Sequence, residues 1–256
     1  QECLTGDVIE EISGIVNGTT NYIMTKMTED GSDFADVLKE AQERGYAEKD
    51  PTADIEGHDA QRKIAILTSL ICGQQVEYTD IPTEGISKIT ADDIKYANSV
   101  NRKIKLLATS TATGDTYVAR VAPYMLPPEH PLYAVDDVFN AIFVHGNMLG
   151  DGMFYGSGAG SLPTASAVVG DIVEMARHKD ENIPLEWRPE KLELADASVV
   201  KSAFFVRTKS GKDDVKKAFG DVEFVEGVVD GELGFVTDVM KEADYDSKVS
   251  ALRSEE

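Results

Sequence analysis

The sequence predicts an α+β protein in which a mixed β-sheet is covered by helices and is followed by a small α+β module. Three observations predict this class. Apolar residues recur at helical spacing in several stretches of the first hundred residues. Two segments at 103–110 and 116–127 alternate in polarity as paired strands do. The region after residue 200 runs in the order strand, helix, strand, strand, helix.

We expect two domains, residues 1–190 and residues 191–256, joined through a charged segment at 178–195 that contains Pro184 and Trp187. A chain of 256 residues with 42% hydrophobic side chains is large enough to bury a core. Because the chain begins without methionine, we expect it to be a piece of a longer protein.

The charge balance argues against two classes of partner. The net charge of −21 would repel a phosphate backbone and an anionic membrane surface, so we expect no nucleic acid and no membrane partner. No apolar run reaches membrane-spanning length and no signal peptide is evident, which predicts a cytoplasmic protein. Cys3 and Cys72 lack a second ligand at metal-binding spacing and are predicted to be inert thiols.

A strand over residues 7–15 is predicted to lead into a turn at Gly18, whose backbone can approach its neighbours closely. We interpret Thr19 and Thr20 as caps of the helix that follows, because hydroxyl side chains cap helices well. The inward-facing residues of this helix are predicted to be Ile23, Met24 and Met27.

Three more helices are predicted at 33–44, 59–71 and 91–98. Gly45 and Gly73 end the first two, since glycine adopts the left-handed conformation at helix C-termini. The third begins with a capping box of Thr90 and Asp93. The residues predicted to form the buried face of the helix at 59–71 are Ala60, Ile64, Leu67 and Leu70.

Beyond the strand pair at 103–127, residues 131–135 and the stretch at 139–156 are predicted to form further strands. Lys103 and Lys105 alternate with apolar residues, so we expect both ammonium groups to face solvent. His145 is expected in a strand beside a turn.

Charge is concentrated between Gly45 and Lys63. The acidic side chains of this stretch, which surround His58, are Glu48, Asp50, Asp54, Glu56 and Asp59. Asp50 and Pro51 form a turn dipeptide. Asp59 is predicted to lie in the first turn of a helix, where the dipole favours a carboxylate, and Lys63 follows four residues later on the same face.

Two interpretations of the Asp59–Lys63 pair remain open. It could be a surface salt bridge worth only about 0.3–0.5 kcal/mol. Alternatively, Lys63 is followed at once by the apolar run Ile-Ala-Ile-Leu, so we expect it to be partly desolvated. A desolvated lysine beside an aspartate is suited to transferring a proton near neutral pH.

A glycine-rich turn at 156–160 precedes a predicted helix that carries Pro163 at its start. Backbone amides in such a turn attract anions or polar ligand groups. The spacing is GxGxG rather than the GxGxxG of dinucleotide-binding turns, so a tight packing turn is the alternative.

The chain resembles homoserine dehydrogenases. The family signature joins an alanine, a glycine with an aromatic, an acidic-proline turn and the pattern D-hydrophobic-x-G-x-D-x-x-x-K. This chain meets it with Ala41, Gly45-Tyr46, Asp50-Pro51, Asp54-Ile55, Gly57, Asp59 and Lys63. The blocks GIVNGTTNYI and GSGAGSLPTASAVVGDIV resemble two further family blocks, and together the resemblance covers about residues 1–178.

The resemblance implies roles for individual residues. Lys63 would move the proton of the C4 hydroxyl or carbonyl oxygen, and Asp59 would orient it. Gly160 would touch the nicotinamide nucleotide. The residues implied to bind the substrate are Glu48, Asp54, Tyr46, Gly18 and Thr19.

The implied reaction is reversible hydride transfer between L-homoserine and L-aspartate 4-semialdehyde, with NADP or NAD as cofactor and a homodimer as the assembly. The N-terminal nucleotide-binding domain of the family is not in this sequence, so we expect the chain alone to bind nucleotide weakly. Residues 191–256 resemble an ACT-type regulatory module that lacks its usual final strand.

Two other functions are compatible with the residues. Glu48, Asp50, Asp54 and His58 offer the oxygen and nitrogen ligands of a metal-dependent hydrolase, although we expect no metal. The chain could also be a non-catalytic dimerisation body that senses an amino acid.

Overall fold

The structure, a computed structural model, describes residues 3–181 and 186–253. The elements of the first part are β1 (Ile9–Ile15), α1 (Gly18–Asp30), α2 (Phe34–Glu43), α3 (Thr52–Ile55), α4 (His58–Cys72), α5 (Ala91–Ser99), β2 (Lys103–Thr113), β3 (Thr116–Leu126), β4 (Phe139–Gly146), β5 (Gly150–Ser157) and α6 (Ser161–Arg177). Those of the second part are β6 (Lys201–Ser202), β7 (Phe205–Thr208), α7 (Lys212–Phe219), β8 (Glu223–Val225), β9 (Leu233–Val236), β10 (Met240–Lys241) and α8 (Glu242–Arg253).

The first part is built on a five-stranded sheet in the order β3-β2-β1-β4-β5. The predicted α+β class is confirmed. We expected a mixed sheet, but each neighbouring pair of strands is antiparallel. The pairs β2-β3 and β4-β5 are antiparallel because short turns join their strands, such as the turn at Gly114 with its φ of 59°, whereas a parallel pair requires a long crossover. Among the described residues, the one parallel contact is the isolated bridge between Thr83 and Val121.

Helices α1, α4 and α5 cover one face of this sheet and enclose the main core with it. Ile23, Met24 and Met27 of α1 are fully buried, as predicted. On α4 the predicted inward face is confirmed for Ala60 and Ile64 but wrong for Leu70, which is exposed near the end of the helix. The buried face of α4 continues to Thr68 and Ser69, so the core anchors the helix along most of its length.

The predicted strand at 131–135 is wrong. Successive turns occupy this segment, with the amide of His130 bonded to the Pro127 carbonyl at 3.0 Å and that of Tyr133 to the His130 carbonyl at 2.9 Å. Prolines at 127, 128 and 131 remove the amide donors that a strand would need. His145 lies in β4 as predicted, paired with Asp151 at 2.6 Å, and that carboxylate raises the pKa of its imidazole.

Lys105 does not face solvent, contrary to the prediction from its alternating position. Its side chain is 1% exposed, and its ammonium donates to Asn21 Oδ1 at 3.0 Å, Val135 O at 2.7 Å and Asp136 Oδ1 at 2.8 Å. Lys103 is partly buried and contacts the other oxygen of Asp136 at 2.7 Å. We call Lys105, Asn21 and Asp136 the Lys105 cluster.

The electrostatics of the Lys105 cluster follow from its burial. Desolvation lowers the pKa of Lys105, and the bond to Asp136 offsets only part of this effect. Burial alone would raise the pKa of Asp136, but hydrogen bonds from Lys103 and Lys105 override it, so that pKa lies below its usual range. The cluster is a buried ion pair that is fully hydrogen-bonded, which is the form in which such pairs are tolerated.

The second part confirms the predicted order strand, helix, strand, strand, helix in β7, α7, β8, β9 and α8, with a sheet order of β7-β9-β8. Arg207 joins it to the first part, since its guanidinium contacts Asp93 of α5 at 2.6 Å and Glu232 at 2.7 Å. The boundary at residue 190 stays a prediction. Of the segment expected at 178–195, residues 182–185 with Pro184 lie outside the described residues.

Helix α6 contributes no buried residue, although it is rich in apolar side chains. Its exposed apolar residues are Leu162, Val168, Val169, Ile172, Val173 and Met175. The edge strand β5 likewise exposes Met153, Phe154 and Tyr155. Within the described residues, no helix combines the length and the apolar character needed to cross a bilayer.

Candidate active site

The chain leaves β1 and enters α1 through residues 17–19, which we call the Asn17 turn; Asn17 is the cap and Gly18 the first residue of the helix. Asn17 caps α1, with its Oδ1 accepting from the Thr20 amide at 2.9 Å. The prediction that Thr19 and Thr20 cap this helix is therefore wrong. The Thr19 hydroxyl instead donates to the Tyr46 carbonyl at 2.6 Å. A side chain on Gly18 would meet the Val138 carbonyl at 2.9 Å, so the turn requires glycine there.

The amide of Asn17 also holds two carboxylates together. Its Nδ2 donates to Asp54 Oδ1 at 2.7 Å and to Asp59 Oδ2 at 2.9 Å. Asn17 is only 7% exposed. Its buried amide nitrogen and oxygen are both hydrogen-bonded, to the two carboxylates and to the Thr20 amide. One side chain thus fixes the start of α1, the end of α3 and the start of α4 relative to one another.

Lys63 extends from α4 to the same point. Its Nζ lies 2.7 Å from Asp59 Oδ2 and 2.8 Å from the Val16 carbonyl oxygen. We call Asn17, Asp54, Asp59 and Lys63 the Lys63 cluster. The predicted desolvation of Lys63 is not seen, because its side chain is 45% exposed. Ile64 and Ala65 after Lys63 are buried in the core, whereas Ile66 is exposed. The Lys63 ammonium stays at the surface, where a ligand can reach it.

The junction between α3 and α4 gives Asp54 and Asp59 their common direction. Gly57 links the two helices with a φ of 79°, and a Cβ on it would lie 3.0 Å from Thr83 Cγ2 and 3.2 Å from Val121 Cγ1. Glycine is needed here for both its conformation and its small size. The family motif therefore encodes a bend that turns two carboxylates toward Asn17.

Two other polar residues of the charged stretch lie elsewhere. Asp50 accepts from the amide and the hydroxyl of Thr52 at 3.2 Å and 2.7 Å, and these bonds lower the pKa of its carboxyl. Asp50 therefore stabilises the start of α3 by accepting hydrogen bonds from its first residue. His58 is exposed at the beginning of α4. Over residues 3–181 and 186–253, no three histidine, cysteine or acidic side chains are grouped so that they could hold a metal ion.

Tyr46 and Glu48 lie on the segment after α2. Tyr46 is half-exposed, and its ring packs on Tyr22 with 4.9 Å between centroids. Gln42 donates to the Glu48 carbonyl at 3.0 Å, while the Glu48 carboxylate is exposed. The hydrogen bond from Thr19 to the Tyr46 carbonyl therefore places Tyr46 next to the Asn17 turn. No described hydrogen bond joins the Glu48 side chain to the Lys63 cluster.

Residues 156–160, which we call the glycine turn, connect β5 to α6. Gly160 immediately precedes α6 with a φ of 110°, a conformation that glycine adopts readily. The first residues of α6 are exposed, so their backbone amides can bind a polar or anionic group, which fits part of a nucleotide. The rest of a dinucleotide would need contacts that this turn does not supply.

Two residues of this region were not identified from the sequence. Asn17 occupies the capping position of α1, but its carboxylate partners are 37 and 42 residues away in the sequence. Asn140 lies against Gly158 of the glycine turn, and no local signal distinguishes it from other strand residues.

Comparisons with known proteins agree with one another. The family model described as homoserine dehydrogenase matches residues 1–173. A homoserine dehydrogenase of Neisseria gonorrhoeae is 50% identical over 177 residues, which are 69% of this chain and 41% of that protein. The chain therefore spans less than half the length of this curated relative.

Solved structures extend the likeness to the second part of the chain. A homoserine dehydrogenase from Thiobacillus denitrificans, 32% identical, matches 99% of this chain and 62% of its own with a TM-score of 0.88. A hyperthermophilic archaeal homoserine dehydrogenase in complex with NADPH, 31% identical, matches 72% of this chain and 52% of its own with a TM-score of 0.58.

Proposed function

The chain belongs to the homoserine dehydrogenase family, and on that premise we propose that it forms the substrate-binding and proton-transferring part of such an enzyme. The proposed reaction is reversible hydride transfer between L-homoserine and L-aspartate 4-semialdehyde, with NADP or NAD as cofactor. Its setting is amino-acid biosynthesis in the cytoplasm.

The observation that carries this proposal is the bond of Lys63 to Asp59 beside the Asn17 turn. Asp59 and the Val16 carbonyl use two of the three N–H donors of an ammonium group, and the half-exposed side chain leaves the third available to a ligand. In the direction of aldehyde reduction, the substrate oxygen gains negative charge as C4 receives the hydride. Lys63 stabilises that charge and donates the proton, which completes the alcohol.

The surrounding groups suit a zwitterionic amino acid. Asp54 and Glu48 are proposed to bind its ammonium and hydroxyl groups, because carboxylates attract both donors. Gly18, Thr19 and Tyr46 would lie along the substrate and contact it mainly through the backbone. Asp59 orients Lys63 and receives no proton in this scheme.

The cofactor supplies the hydride chemistry when it is bound. Gly160 and the exposed amides at the start of α6 are the groups of this chain that would contact it. Residues 191–256 are proposed to be an ACT-like regulatory module.

We test the activity in a chimaera that joins the nucleotide-binding domain of a relative to this chain. Oxidation of L-homoserine with NADP or NAD, followed as reduced nucleotide, is the expected result, and Lys63→Ala should abolish it. A stoichiometric divalent-cation site found by metal titration, together with unchanged dehydrogenase activity in Lys63→Ala, would instead support a metal-dependent hydrolase. Amino-acid binding without turnover in the chimaera would support the non-catalytic sensing body.

The assembly is proposed to be a homodimer formed through the sheet face that α1, α4 and α5 leave uncovered. Phe139 and Tyr155 stack there with 5.3 Å between ring centroids, and both are exposed, as is Met153. Exposed apolar patches of this kind mark interaction surfaces. Sedimentation of the chain at micromolar concentration should show a dimer and Tyr155→Asp should weaken it, whereas a wild-type monomer would contradict the proposal.

A further inference from the structure

Asn140 lies between the two turns that carry the proposed substrate and nucleotide contacts. A Cβ built on Gly158 would lie 2.3 Å from Asn140 Nδ2 and 2.7 Å from its Cγ. A Cβ built on Gly18 would lie 3.6 Å from Asn140 Oδ1. The amide of Asn140 is therefore in contact with the glycine turn and close to the Asn17 turn, and a larger residue at Gly158 would collide with it.

The backbone that carries Asn140 is fixed from both sides. In the sheet, Asn140 is paired with Gly156 of β5. Just before it, Asn21 donates to the carbonyls of Val135 and Phe139 at 3.0 Å each. Lys105 also donates to the Val135 carbonyl, at 2.7 Å. A side chain held by such a segment can transmit a defined spacing to whatever it contacts.

The hydrogen bonding of Asn140 indicates that its amide is not kept for stability. Its Oδ1 is buried and accepts no hydrogen bond from any residue that the structure describes. A buried carbonyl oxygen without a donor is unfavourable, and native proteins contain few of them. The oxygen therefore adds no stability, and what distinguishes Asn140 is the position of its side chain between the two turns.

We propose that Asn140 is a positioning residue that sets the separation between the Asn17 turn and the glycine turn, and thereby the distance over which the hydride moves. The inference rests on the proposed function, because that function assigns the substrate to one turn and the nucleotide to the other. Hydride transfer depends steeply on this separation, and a misplacement of about 1 Å can reduce a rate about 100-fold.

The geometric part of the proposal is tested in this chain without any ligand. Asn140→Ala should shift the backbone amide resonances of both Gly18 and Gly158 in NMR spectra, because both contacts are lost. Gly158→Ala should shift Gly18 as well, since the new methyl displaces the Asn140 amide. If Asn140→Ala moves only one of the two glycines, the two turns do not share this spacer and the proposal is overturned.

The functional part is tested in the chimaera. Asn140→Ala and Gly158→Ala are each expected to lower kcat about 10- to 100-fold. In the direction of aldehyde reduction, each should also raise the primary isotope effect measured with reduced nucleotide that carries deuterium at the transferred position. The double variant places a methyl in the space that Asn140→Ala opens, so its kcat should recover above the product of the single effects. Asn140→Leu, which restores the volume, should recover more activity than Asn140→Ala.

The outcomes separate the inference from the proposed function. A merely structural role of Asn140 would lower the melting temperature of the variants while leaving the isotope effect unchanged, and this result would overturn the proposal. Gly6→Ala is the matched control, because a Cβ there has no neighbour within 4 Å and the residue lies at the opposite end of β1 from the Asn17 turn. A wild-type chimaera without dehydrogenase activity would refute the proposed function. The NMR spectra would then test only whether Asn140 sets the separation between the two turns.

Discussion

Lys63 and Lys105 both bind an aspartate within 2.8 Å, yet the two lysines lie in opposite surroundings. Lys63 is 45% exposed on a helix and contacts a carboxylate four residues away. Lys105 is 1% exposed on a strand and contacts groups from α1 and from the segment before β4. The neighbouring residues in the sequence suggested the reverse, with Lys63 desolvated and Lys105 in solvent.

The difference separates two uses of the same side chain. An exposed ammonium near two carboxylates keeps a donor for a substrate, and its own pairing contributes little to stability. A buried ammonium with every donor satisfied has no N–H free for a ligand. Removing it leaves its partly buried carboxylate partner with one cation fewer. Mutations at the two positions should therefore affect different measurements.

The largest effect is expected for Lys63→Ala in the chimaera. Loss of the proposed proton donor should lower kcat about 100- to 10,000-fold, because general acid catalysis contributes that much. The free energy of unfolding should change by less than about 0.5 kcal/mol, as for other exposed pairs. Steady-state kinetics and urea unfolding measure the two quantities.

Lys95→Ala is the control for this variant, since Lys95 forms a similar exposed pair with Asp92 at 2.7 Å. It should preserve both kcat and stability. A Lys63→Ala variant with normal kcat would remove Lys63 from the mechanism.

Lys105→Met should have the opposite profile. It leaves Asp136 half-buried with only Lys103 as a partner, so the free energy of unfolding should fall by about 3 kcal/mol, the lower end for a broken buried pair. Lys103→Met removes the more exposed partner of the same carboxylate and should cost about 1 kcal/mol. Equal losses of unfolding free energy in the two variants, measured by urea unfolding, would contradict a larger role of the buried Lys105 in stability.

The acid stability of the protein should depend on Asp136. The pKa of Asp136 is lowered in the folded state, so the unfolded chain takes up a proton first as the pH falls. The stabilisation is present above the usual value of 3.8 and is lost as the pH falls below it through the folded pKa. Asp136→Asn should therefore be less stable than wild type at neutral pH and should lose less stability on acidification, measured by urea midpoints.

Burial of Lys105 adds a second dependence of the same sign at high pH. Its pKa is lowered from the usual 10.5, so the unfolded chain retains the proton longer as the pH rises. Stability should increase with pH between the folded pKa and 10.5, and Lys105→Met should abolish that rise.

A smaller effect is expected for Asn17→Ala, which removes the cap of α1 and the donor shared by Asp54 and Asp59. The loss of a cap costs about 1–2 kcal/mol. Asn17→Asp keeps a capping oxygen but adds a third carboxylate, so its deficit should shrink in acid. The control Thr90→Ala removes the cap of α5 and should leave the KM for homoserine unchanged, while Asn17→Ala should raise it.

Local patterns predicted what local interactions determine. The inward face of α1, the glycine ends of α2 and α4 and the capping box at Thr90 all depend on residues within one or two turns. The motif around Lys63 was identified through its resemblance to a family.

The remaining features depend on contacts between distant segments. Lys105 meets Asn21 across 84 positions, and Asn17 meets Asp59 across 42. An alternating strand pattern cannot reveal that a turn-rich segment will fold over one of its lysines. The same holds for Asn140, whose side chain lies close to two glycines that are far apart in the sequence, Gly18 and Gly158.

Arg207 has a consequence for shortening the protein. Its guanidinium neutralises Asp93 and Glu232 together and lies 5.5 Å from the centre of the Tyr96 ring, while Phe205 packs on that ring. Cutting the chain after residue 190 would leave Asp93 at the start of α5 without its cation and open the buried face of Tyr96 to water. The two parts should therefore melt together in a calorimeter as one cooperative unit, and high salt should lower that single transition.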